Sequence, residues 1–157
     1  VRPFLLALTA CLALTTACGD DAPPPPPPSP APPSPPPTVP PGRTLPARTA
    51  LLDYLRGVGS GDAKVCSAMT PAYERAVFGR EGGCRPGLAG ERRRLRAKDL
   101  AALRTVSVPV AEPGPEPGTF TVGFEDLRWE GDPARPGGLL AARFTLKRSG
   151  KRWVLVP

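Results

Sequence analysis

The chain has 157 residues, 25 of them proline and 17 glycine, and a formal net charge of +7 at pH 7. Fourteen prolines fall in the 20 residues from Ala22 to Pro41, and the 113 residues from Leu45 to Pro157 are enough for one hydrophobic core but not two. These figures exclude a large enzyme, a multi-domain assembly and a multi-span membrane protein. There is also no His, Asn, Gln or Ile. Without His, catalysis by Ser-His or Cys-His pairs is excluded, as is any zinc site that needs imidazole. No catalytic constellation, metal site or cofactor is expected from what remains.

The chain opens with Val1-Arg2, a minimal basic region, followed by Phe4 to Ala17, apolar or small throughout. That run is shorter than the roughly 20 apolar residues of a membrane-spanning helix and has the length of an export signal. Polarity changes abruptly at Cys18-Gly19-Asp20-Asp21. Small residues, then Cys, then Gly resemble the lipobox of bacterial lipoproteins, which implies cleavage after Ala17 and a diacylglycerol on Cys18. The family usually has Leu three positions before the Cys, where this chain has Thr15, with Leu14 one step back. Leu8-Thr9-Ala10-Cys11 matches the box better locally, but cutting there would leave only about seven apolar residues as the signal core. Ordinary signal cleavage is a third reading, which would leave an exposed thiol with no evident partner. The favoured organisation is a signal peptide over 1–17, a Pro-rich linker over 18–44 and a folded domain over 45–157. It places the protein at the outer face of the cell membrane, held by lipid.

Proline fixes φ and removes a backbone donor, so the tract favours polyproline II. At ~3.1 Å per residue its 20 residues reach on the order of 60 Å, which suits holding a domain away from a membrane. A ligand for SH3- or WW-type domains is the rival reading, disfavoured because such readers are scarce outside the cytoplasm.

In the domain, Ala47, Ala50, Leu51, Tyr54, Leu55 and Val58 recur at steps of three and four, which predicts a helix from Pro46 to Val58, ended by Gly57, Gly59, Ser60 and Gly61. Asp62 is placed to cap a short helix Ala63 to Met69, and Thr70-Pro71 to start a third running to about Phe78. Leu88 to Leu103 reads as partly helical. Beyond Arg104 the period becomes two. Val106, Val108 and Val110 predict one strand, Phe120, Val122 and Phe124 a second, and Leu140 to Lys147 a third. A turn at Ser149-Gly150 leads into Arg152 to Val156 and would set Leu146 opposite Trp153 and Lys147 opposite Arg152.

Cys66 and Cys84, in the folded part of an exported chain and not in a Cys-x-x-Cys pair, are most simply a disulfide. Several motifs then add up. They are Ala50-Leu51-Leu52-Asp53-Tyr54-Leu55, Gly61-Asp62-Ala63, Cys66, Thr70-Pro71-Ala72, Cys84, the valine-alternating strands and the closing Gly150 to Val156. Together they resemble the small actinobacterial lipoproteins with a nuclear transport factor 2-like domain. The resemblance implies an α+β fold, a cone-shaped roll of N-terminal helices on a curved antiparallel sheet. The Pro/Gly inserts Glu112 to Gly118 and Asp132 to Gly138 depart from the pattern and are expected to disturb the strand order.

Enzymes on that fold work inside the cone, but fold alone does not imply function. Tyr54, Trp129 and Trp153 are candidates for lining a pocket, with core packing as the plainer role. The pair Glu125-Asp126 is expected to make a surface ion pair with Arg128. The sharpest charge feature is Arg92-Arg93-Arg94-Leu95-Arg96-Ala97-Lys98, a candidate anion-binding face or simply a solvated one. From Arg43 onward 20 basic residues outweigh 12 acidic ones. For an exported protein the matching partners are anionic wall polymers or lipid headgroups rather than nucleic acid. The expected function is a membrane-anchored binding or accessory module, with a cavity enzyme of the isomerase or hydratase kind as the alternative.

Overall fold

The computed structural model describes residues 40–131 and 135–157. The signal peptide, Cys18 with its rival Cys11, and the proline tract lie outside them, as do residues 132–134 of the second insert. Helices come first: α1 (Pro41–Ser60), a 3₁₀ helix (Ala63–Ala68), α2 (Pro71–Phe78), α3 (Cys84–Arg93) and α4 (Ala97–Thr105). Strands β1 (Glu112–Pro113), β2 (Thr119–Gly123), β3 (Arg143–Ser149) and β4 (Arg152–Val156) follow, in one antiparallel sheet of order β1-β2-β3-β4. The fold is α+β.

Helix α1 is longer than its apolar period suggests at both ends. It begins at Pro41, so Pro46 lies inside its first turns, where the missing N–H forfeits only the bond to the exposed Gly42. It runs through Gly57 and Gly59 to Ser60 and stops at Gly61, whose φ of 81° is the left-handed conformation of a helix C-cap. The two internal glycines mark close approaches rather than the helix end. A Cβ at Gly57 would collide with the Val65 side chain, and one at Gly59 would come within 3.0 Å of Leu103 on α4. At the other expected caps, Asp62 accepts the Lys64 N–H at 2.9 Å and Thr70 accepts the Tyr73 N–H at 3.3 Å.

One stripe of α1 (Ala47, Leu51, Tyr54, Leu55, Val58) faces Val122, Phe144, Leu146 and Leu155 of the sheet, with Leu103, Leu139 and Leu140 closing the core. The disulfide between Cys66 and Cys84 is present, its Cα atoms 5.6 Å apart, and joins the 3₁₀ helix to the start of α3.

Three strand expectations are corrected. Val106 to Val110 is not a strand. Val106 and Val108 enter the core, but their carbonyls are taken by α1: Arg56 donates to Val106 O at 3.3 Å, and Arg48 to Val108 O at 3.4 Å and Pro109 O at 2.5 Å. Pro109 has no N–H for a ladder, so only Ser107 pairs, with Arg128. The first insert supplies β1 and the loop of a β1–β2 hairpin instead of breaking the sheet. The closing hairpin turns at Gly150-Lys151, not Ser149-Gly150, so Leu146 faces Leu155 and Lys147 faces Val154. The first residue of a two-residue hairpin turn takes positive φ, which Gly150 adopts at 60° and Ser149 would resist. The like-charge pair Lys147–Arg152 is thereby avoided, and Lys147 pairs with Glu116 at 3.0 Å.

Candidate functional site

Of the candidate pocket residues, Tyr54 and Trp153 line one groove and Trp129 does not. Tyr54 is 1% exposed, its ring edge-on to Phe144 with centroids 6.3 Å apart, and its hydroxyl donates to Leu139 O at 2.8 Å. Tyr73 lies beside it, 4% exposed, its hydroxyl facing that of Tyr54 without a well-formed hydrogen bond. Burial, reinforced by Tyr73, holds the Tyr54 hydroxyl well above its ordinary range. Burial pushes Tyr73 up to about 12, partly offset by the neighbouring Tyr54 hydroxyl. Both phenols are therefore neutral at physiological pH and unsuited to serve as bases. Trp129 packs on Phe124 with centroids 5.1 Å apart and does not line the groove that Tyr54 and Trp153 share.

Trp153, with Tyr54 below it, belongs to an open groove of about 1070 Å³ beside α1. On α1, Leu45, Thr49, Asp53, Arg56 and Ser60 form its wall, recurring at steps of three and four as the stripe next to the core-facing one. The 3₁₀ helix contributes Lys64, the end of α4 Arg104, the β3–β4 turn Lys151 and the start of β4 Arg152. Five cations thus meet two carboxylates, Asp53 and Asp62, and none of the seven forms an ion pair among the described residues. The helical stripe was visible in the sequence; the convergence of cations from four separate segments was not.

The basic run from Arg92 to Lys98 does not form one solvent-facing patch. Arg92 turns inward and caps α1, its Nε donating to Val58 O at 2.7 Å and Nη2 to Gly59 O at 3.2 Å. Helix C-termini carry unsatisfied carbonyls and partial negative charge, so a guanidinium there is structural. Arg94 pairs with Glu91 at 3.0 Å. Arg96 grips Asp99 through Nε at 2.9 Å and Nη2 at 2.7 Å, while its N–H bonds the same carboxylate at 3.0 Å. Those bonds hold the Asp99 carboxyl below the usual range, against the effect of its burial. Arg93 and Lys98 are exposed, Lys98 close enough to Asp99 to lower that carboxyl further. A second, smaller cleft of about 360 Å³ lies between this segment and residues 135–139.

Asp99 is the one buried carboxylate among the described residues, and it lines this cleft rather than the surroundings of Tyr54. Glu125 and Asp126 do not pair with Arg128 as expected: Arg128 donates to the Glu125 carbonyl at 2.8 Å, and Asp126 accepts the Gly123 N–H at 3.2 Å. Among the described residues no three His, Cys, Asp or Glu are grouped to hold a metal ion, and no helix is long and apolar enough to cross a membrane. Neither a family model, nor a curated protein, nor a solved structure matches the chain.

Proposed function

We propose that the protein is a membrane-anchored cell-surface lipoprotein whose α+β domain is a binding or accessory module without catalysis of its own. The observation that carries this over a cavity enzyme is the state of Tyr54: its hydroxyl is committed to a backbone carbonyl inside a filled core. A cavity enzyme needs that volume open and a desolvated carboxylate beside it, whereas Asp53 and Asp62 in the groove are exposed and the buried Asp99 lines the other cleft. The lipid anchor rests on Ala17-Cys18-Gly19 and the apolar run before it. The order of helices followed by an antiparallel meander supports a nuclear transport factor 2-like roll as the parent fold. In this reading the partners are the membrane, reached through the lipid, and an anionic component of the envelope. Mass spectrometry of the mature N-terminus tests it. A diacylated peptide beginning at Cys18, lost together with membrane association in Cys18→Ala, is expected; an unlipidated or uncut end overturns it.

A further inference from the structure

We infer, on the reading of the domain as a binding module, that the groove beside α1 is the binding site and that its ligand is a flexible phosphodiester-linked polyanion.

The shape favours a chain over a single ion. The groove follows α1 from Leu45 to Ser60, which at 1.5 Å per residue is about 22 Å. One phosphate would occupy a small fraction of it. The donor set fits phosphate oxygens: guanidinium forks at Arg56, Arg104 and Arg152, with point charges at Lys64 and Lys151. No ion pair among the described residues offsets their surplus over Asp53 and Asp62. Arg56 keeps donors available, since only its Nη2 is engaged, at 3.3 Å to Val106 O. Leu45, 55% exposed, and the half-buried Trp153 add apolar surface of the kind that the carbon backbone between phosphates can cover.

A bilayer surface fits less well. It is flat and meets protruding residues, whereas these cations line a trough. The proline tract between Cys18 and Pro40 also has the composition of a spacer that separates a domain from the membrane. The basic run of α3 and α4 is a weaker candidate because Arg92, Arg94 and Arg96 are already held by protein groups.

Titration calorimetry on the mature chain tests the assignment, with poly(glycerol phosphate), inorganic phosphate and phosphatidylglycerol vesicles as probes. Saturable binding of the polymer that weakens with added salt is expected, as is much weaker binding of inorganic phosphate. Lys151→Glu with Arg152→Glu should lower affinity roughly tenfold or more, and Lys64→Glu with Arg104→Glu should do the same from other elements. Arg80→Glu with Arg85→Glu, an equal charge change elsewhere, should alter it by no more than about twofold. Thermal melting of each variant checks that it is folded. Equal loss in all three variants, no loss in the groove variants, or binding to vesicles without binding to the polymer overturns the inference. The N-terminal mass is read separately, so an unlipidated Cys18 would sink the anchor and leave the groove result standing.

Discussion

At the scale of single residues, charge in a sequence does not say whether a side chain is an address or a joint. The run from Arg92 to Lys98 reads as one feature because its members are adjacent. On a helix, however, neighbours in sequence point about 100° apart. Arg92 points at the end of α1 and Arg93 at solvent. Arg92→Ala should therefore cost about 1–2 kcal/mol, from two hydrogen bonds and the helix-terminus attraction, while Arg93→Ala stays within about 0.5 kcal/mol. Urea unfolding midpoints compare the two directly, and equal values would mean that the cap contributes nothing. No composition argument could have separated them, since the partner carbonyls of Val58 and Gly59 lie more than thirty residues away.

At the scale of elements, what was legible was whatever is decided locally. The starts of the 3₁₀ helix at Asp62 and of α2 at Thr70-Pro71 follow from residue chemistry within a few positions, and the disulfide from two cysteines in the folded part that form no Cys-x-x-Cys pair. Glycine was misread for the opposite reason. Gly57 and Gly59 look like helix breakers, but they serve distant partners, Val65 and Leu103. Alanine ordinarily stabilises a helix interior by up to about 1 kcal/mol relative to glycine. Gly57→Ala should reverse that sign, with a net loss of about 1–3 kcal/mol as the 3₁₀ helix is pushed off α1. A stabilised variant in thermal unfolding would show that the helix and Val65 can separate freely. The disulfide fastens the same 3₁₀ helix to α3 across a sequence separation of 18. Replacing Cys66 and Cys84 with Ser should lower stability by about 3 kcal/mol in the loop-entropy account, and reduction of the parent protein should match it.

At the scale of the whole molecule, the α+β class was legible because the switch from a period near 3.6 to a period of two survives any error in boundaries. The groove was not, because it is made where four segments meet, and only the fold brings Lys64, Arg104 and Lys151 to one side of α1. The interior makes a further property global. Tyr54 and Tyr73 are both buried and neutral, and their folded-state hydroxyls titrate above the ordinary value of 10.0, Tyr73 at about 12. A phenol with a raised folded-state pKa contributes stability that is whole below 10 and is lost as pH climbs towards the folded value, because the unfolded chain ionises first. The urea midpoint should thus hold steady up to about pH 9 and fall between 10 and 12, with tyrosinate absorbance appearing together with unfolding. Tyr73→Phe removes a buried hydroxyl that has no well-formed hydrogen bond, so it should leave neutral stability unchanged or raised and make the alkaline fall shallower. Tyr54→Phe leaves the Leu139 carbonyl unpaired and should cost about 1–3 kcal/mol at neutral pH. Tyrosinate absorbance rising through this range while the chain stays folded would mean that the two hydroxyls reach water, and that the core is not closed over them.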